Sequence, residues 1–209
     1  MKSSSTAVSL SVKSLRAALA ATAVSILALA PFQAVEAQAL RGVTLAPVAT
    51  PIGEADWRTI APENLLVIDT TKGRVLVEMD PQAAPAHVAR MTVLADRGFY
   101  DGLKFHRVIP GFMAQTGDPT GTGMGGSERP NIPAEFSSEN FGRGVVGMAR
   151  SSNPNSANSQ FFIVFDDATF LDRQYTVWGQ VIEGMEHVDA LPKGEPPRAP
   201  GKIVKATVN

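Results

Sequence analysis

The chain has 209 residues, of which 44% are apolar, enough for one domain of ordinary size with a filled core. The formal net charge is -1 and no block of like charges occurs, so there is no electrostatic case for binding nucleic acid or an anionic membrane surface. Cysteine is absent, which excludes disulfides, thiolate catalysis, cysteine zinc sites and a cysteine-borne lipid anchor.

The first 37 residues read as an address. Lys2, Lys13 and Arg16 precede an apolar run from Ala17 to Ala30, and Val35-Glu36-Ala37 supplies small residues for cleavage. A Sec-type signal peptide is expected, cut after Ala37 or at Ala39. The competing reading is an uncleaved anchor, but about 14 apolar residues fall short of the roughly 20 needed to span a bilayer. The expected product is extracytoplasmic, most simply periplasmic, with no stable membrane association after cleavage. Residues 38–62 contain prolines and little periodicity, which suits an extended arm or linker. The folded domain is expected over 63–209.

Asn64 to Thr70 and Val75 to Met79 form a predicted hairpin around Thr71-Lys72-Gly73, with Val75, Val77 and Met79 on one face. Pro85 suits the first turn of a helix whose stripe is Val88, Met91, Val93, Leu94 and Ala95, ending at Gly98. His87 on that helix is read as a surface or boundary residue, because no second ligand stands at a metal-binding spacing. Phe105 to Ile109 and Phe112 to Gln115 are strands joined by Pro110-Gly111, a type II turn pair. Gly121, Gly123 and Gly126 match G-x-G-x-x-G, yet Pro130 and Pro133 forbid the following helix that a dinucleotide site requires. A tight loop is expected there instead.

Gly144 to Ala149 and Ser159 to Phe165 are further strands around the polar loop 150–158. In SQFFIVF, Gln160 and Phe162 share one face while Phe161 and Ile163 share the other. One phenylalanine therefore belongs to the core. The other lies beside an amide, which fits either a binding surface or a core aromatic next to a solvated glutamine. A loop carrying Phe170-Leu171, a strand from Tyr175 to Ile182, a short helix from Gly184 to Leu191 and a last strand, Ile203 to Val208, complete the chain. His187 on the short helix is read as a bystander. Many short strands with two helices predict a mainly β fold, a closed barrel with helices plugging its ends.

The sequence contains no G-x-S-x-G elbow, H-E-x-x-H pair or phosphate loop, and Asp118 and Glu135 have no evident partner. What remains is Arg107, two glutamines, aromatics and methionine. An arginine cannot serve as a general base, because its pKa lies far above working pH. The inventory suits a reaction needing neither proton transfer nor a nucleophile, such as rotation about an X-Pro bond, whose barrier of roughly 18 to 20 kcal/mol comes from amide resonance. A guanidinium donating to the prolyl nitrogen would favour the twisted state, and an apolar pocket would grip the ring.

FHRVIPGFMAQTGDPTGTG, followed by NSQFFIVF and FLDRQYTVWGQV, resembles the cyclophilin family of peptidyl-prolyl isomerases, in particular bacterial exported members. The resemblance runs from about Asn64 to the C-terminus. It implies an eight-stranded antiparallel β-barrel capped by two α-helices, no metal or cofactor, and proline-containing polypeptides as substrates of a monomeric enzyme. It also implies that Arg107 is catalytic with Gln115, that Phe112, Met113, Phe162 and Leu171 form the proline pocket with Gln160 as a polar partner, and that Ala149 and Arg150 pair with the substrate chain. Phe170, counted with the substrate-binding residues, stands where well-known eukaryotic members have tryptophan, which implies weak cyclosporin binding. Tyr175 at the rim replaces a histidine, and Arg150 replaces an asparagine. A non-catalytic proline-segment binder or chaperone using the same groove is the alternative.

Overall fold

In the computed structural model, which describes residues 60–209, eight antiparallel strands are joined in one sheet. They are β1 (Leu65–Thr70), β2 (Gly73–Met79), β3 (Arg107–Ile109), β4 (Met113–Thr116), β5 (Val145–Met148), β6 (Phe161–Val164), β7 (Val177–Glu183) and β8 (Ile203–Val208). Two α-helices accompany them, α1 (Pro85–Asp96) and α2 (Met185–Asp189). The expected signal peptide and most of the expected 38–62 arm lie outside the described residues. Among the described residues no helix is long and apolar enough to cross a membrane.

The strand order is β3-β4-β6-β5-β7-β2-β1-β8, and no ladder pairs β8 back to β3. The expectation of a closed barrel is therefore corrected to a curled, open sheet. The two edges meet through isolated bridges only: Lys104 opposite Lys202 just before both strands, and Val108 opposite Gly194. The physical reason is length. β3 has three residues, and the loop around Gly194 occupies its outer edge before β8 begins.

Alternation sorts the side chains onto two faces. Leu66, Ile68, Val75, Val77, Val108, Ala114, Val146, Phe161, Ile163 and Trp178 join one cluster, sealed by Val88, Met91, Leu94 and Ala95 of α1 and Val188 of α2. Met113, Val145, Phe162, Val164 and Val177 point the other way and form a second cluster with Phe141, Ala168 and Leu171. In the β1–β2 hairpin Thr70 pairs with Gly73, and the Thr70 hydroxyl donates to Gly73 O at 2.8 Å.

His87 is not a surface residue: it is fully buried, and its Nδ1 lies 2.6 Å from Glu135 Oε2. The Glu135 carboxylate also accepts from the Ala86 and His87 amides, both at 3.0 Å, and so caps the start of α1 from 48 residues away. Burial holds the His87 imidazole below its usual pKa despite the carboxylate. The neutral ring fits the site, because Nε2 has no partner and a second buried N–H would have no acceptor. His187 is partly exposed and packs its ring over Gly73, where a Cβ would lie 2.5 Å from it.

Candidate active site

The register of three strands lays out the site. Arg107 on β3 is opposite Gln115 on β4, Gln115 is opposite Phe162 on β6, and Phe162 is opposite Gly147 on β5. Directly opposed residues put their side chains on the same face, so cation, amide and aromatic ring form one row. Two residues along, Ile109, Met113 and Val164 make a second, wholly apolar row. Gly147 completes the first row by absence: a Cβ there would lie 2.6 Å from both Phe162 Cζ and Phe141 Cε1. Only a residue without a side chain lets the Phe162 ring lie across β5.

A hollow of about 120 Å³ opens over this face, lined by Arg107, Phe112, Met113, Gln115, Ala149, Arg150, Phe162, Leu171 and Tyr175. Phe162 and Met113 form its floor and are 5% and 1% exposed. The phenylalanine beside the amide is thus a buried surface of the cavity rather than an exposed aromatic, covered by Phe141 (ring centroids 5.7 Å apart) and Tyr175 (5.8 Å). Phe170 is 63% exposed and stands outside the lining, with its ring 5.3 Å from Phe112 at the rim. Gln160 is joined to the site through Gln115.

The polar network runs away from the arginine. Gln115 Nε2 donates to Gln160 Oε1 at 2.9 Å, and Gln160 Nε2 donates to Gly123 O (2.9 Å) and Gly125 O (2.7 Å). The two amides thereby tie the sheet to the glycine loop. That loop is wound on Asp118, whose carboxylate accepts from the amides of Thr120, Thr122 and Gly123 and from the Thr120 hydroxyl. Burial pushes the Asp118 carboxyl up, but the Thr120 and Gly123 hydrogen bonds outweigh it and hold it at about 2. The glycine motif is therefore an anion-centred turn, and Asp118, which the sequence left without a partner, is its hub.

Arg107 takes a partner that sequence patterns do not reveal: its Nε donates to Glu195 Oε2 at 2.8 Å. Beside it His106 is 5% exposed with neither ring nitrogen partnered, and burial lowers its pKa. Of the described residues on this wall, Arg107 carries the permanent positive charge. On the far wall two of the three expected departures, Arg150 and Tyr175, meet each other. The Arg150 guanidinium carbon sits 4.3 Å from the centroid of the Tyr175 ring, and its nitrogens donate to Gln174 O and Ser151 O. Among the described residues no group of histidine and carboxylate side chains could hold a metal ion.

Residues 65–208 match the family model for the cyclophilin type peptidyl-prolyl cis-trans isomerases. The chain is 50% identical over 178 residues to a Brucella suis protein named a probable peptidyl-prolyl cis-trans isomerase, covering 77% of this chain and 91% of that one. It is 41% identical over 130 residues to the peptidyl-prolyl cis-trans isomerase-like 1 of Aspergillus fumigatus, covering 60% and 80% of the two chains. Among solved structures, a cyclophilin of Hirschia baltica superposes with a TM-score of 0.68 at 33% identity, over 73% of this chain and 76% of that one. A Cryptosporidium parvum cyclophilin determined in the presence of the dipeptide Ala-Pro gives 0.65 at 30%, over 69% and 98%. With this row of side chains, this sheet and these relatives, the chain belongs to the cyclophilin family and is a peptidyl-prolyl cis-trans isomerase.

Proposed function

We propose that Arg107 is the catalytic donor of this isomerase and that the hollow beside it receives the proline ring. The observation that carries the assignment is the cross-strand row Arg107-Gln115-Phe162 over an apolar floor. Rotation about an X-Pro bond removes the nitrogen lone pair from resonance, and a guanidinium N–H placed at that nitrogen stabilises the twisted state more than either planar one. Phe112, Met113, Phe162 and Leu171 exclude water around the pyrrolidine ring, which strengthens that donation. The Gln115 amide, fixed by Gln160, offers its oxygen toward the substrate. The Ala149 N–H already donates to Gln160 O at 2.9 Å, so pairing with the substrate chain falls to the remaining backbone groups of Ala149 and Arg150.

Substrates in this reading are proline-containing segments of proteins folding after export, where uncatalysed X-Pro steps take roughly 10 to 100 s at 25 °C. The lysine- and arginine-led apolar run at residues 2–30 supports a periplasmic location for the mature enzyme. Phe170, with no indole N–H to donate, supports weak cyclosporin binding. N-terminal sequencing of the protein recovered from the periplasm should begin at Gln38 or Leu40; an intact N-terminus held in the membrane fraction would contradict export in soluble form. Titration of an Ala-Pro peptide followed by NMR should shift the methyl signals of Met113 and Leu171 and exchange the cis and trans peptide signals. Binding without exchange would reduce the site to a holder of proline segments.

A further inference from the structure

Arg107 lies on the edge strand of an open sheet, and what covers that edge is the loop around Gly194. The Val108 and Gly194 amides donate to each other's carbonyls, both at 2.8 Å, forming an isolated antiparallel bridge. In such a bridge the next opposed pair is Arg107 with Glu195, so the two side chains meet by register. The backbone around Gly194 is closely packed. Gly194 sits at φ 145°, and a Cβ on it would lie 2.7 Å from Pro197 Cα.

The guanidinium meets Glu195 at Nε only. Among the described residues no acceptor reaches its two terminal nitrogens. Gln115, directly opposite, has its amino group committed to Gln160. Arg107 also forms the ridge between the proline hollow and a second, larger one of about 530 Å³ lined by His106, Thr122, Glu195 and Pro196. Without the carboxylate, its long side chain would be free to fall to either side.

Resting on the reading of Arg107 as the donor, we propose that Glu195 is a positioning residue for the isomerisation, gripping the guanidinium by its Nε–H so that the terminal N–H groups are presented to the proline hollow. The pair is half-exposed on both sides, and an exposed ion pair of this kind contributes little to folding stability. Its consequence lies in geometry: an arginine side chain loses much rotamer freedom when it is fixed, and holding one rotamer before substrate arrives removes that loss from the reaction.

The test is to compare wild type, Glu195→Ala, Glu195→Gln, Arg107→Ala and the double alanine variant, by exchange between cis and trans signals of an Ala-Pro peptide. Glu195→Ala should lower kcat/KM by about 3- to 10-fold, mainly in kcat, with the melting temperature unchanged. Glu195→Gln keeps an oxygen to accept the Nε–H and should recover most of the loss. In the free enzyme the Arg107 Nε–H signal should exchange with water faster in Glu195→Ala. On the Arg107→Ala background, Glu195→Ala should cost nothing more. Unchanged or increased activity in Glu195→Ala, a Gln variant no better than Ala, or an additive loss in the double variant would each overturn the proposal. A fully active Arg107→Ala would instead remove its premise, which separates the two failures.

Discussion

The two faces of the sheet are built from the same strands and differ in what covers them. Phe161 and Phe162 are neighbours on β6, both less than a tenth exposed, yet Phe161 packs against Tyr100 and Trp178 in the helix-sealed cluster while Phe162 floors the open hollow. One face spends its apolar residues on cohesion. The other leaves part of them uncovered, under a cation and an amide. Apolarity alone does not distinguish core from site; what does is the cap, two helices on one side and the Arg107, Gln115 and Arg150 side chains on the other.

Alanine at each phenylalanine sharpens the contrast. Phe161→Ala should destabilise the fold by about 3–5 kcal/mol in urea unfolding, the usual cost of emptying a large aromatic site. Phe162→Ala should cost less, because its ring already borders a hollow, and should lower kcat/KM by at least about tenfold in the folded fraction. Equal stability losses with equal residual activity would break the distinction between the faces.

A smaller effect is expected at Asp118. Its carboxyl is held at about 2 in the folded protein, below the ordinary aspartate value, so the stabilisation is present above pH 4 and is lost as pH falls toward 2. Asp118→Asn should destabilise by about 2 kcal/mol at neutral pH and flatten the acid limb of the stability profile. The glycine loop that anchors Gln160 should loosen with it, seen as faster amide exchange at Gly123.

The smallest expected effect is at His87, on the helix-capped side. Its folded pKa is lowered, so neutral imidazole is favoured in the fold, and the unfolded chain binds the extra proton first. Stability should therefore be full above about pH 6.5 and should decline as pH falls through that value. His87→Gln, which keeps a group able to donate to Glu135, should remove this limb of the pH profile. An unchanged limb would place the titration elsewhere.

The two faces were also unequally legible. Parity within SQFFIVF separates Phe161 from Phe162 in the sequence itself, because alternation is fixed by the backbone alone. The hairpins and both helices followed from turn residues and apolar spacing in the same way. The depth of Phe162 was not legible, since its cover comes from Phe141 and Tyr175 in distant segments. Nor was His87–Glu135, a pair 48 residues apart, or Arg107–Glu195, 88 apart, because neither spacing has a local geometric meaning until the sheet is assembled. The open edge is not legible for a related reason: strand propensity gives the number of strands but not how the two outermost ones meet.

The most direct test of the central claim is the rate of cis–trans exchange in an Ala-Pro peptide, measured with wild type and Arg107→Ala at equal concentration, with both melting curves recorded. Loss of one transition-state donor from an intact fold predicts a fall in catalytic efficiency of about 10² to 10³ at unchanged melting temperature. Equal exchange rates for the two proteins would contradict the account.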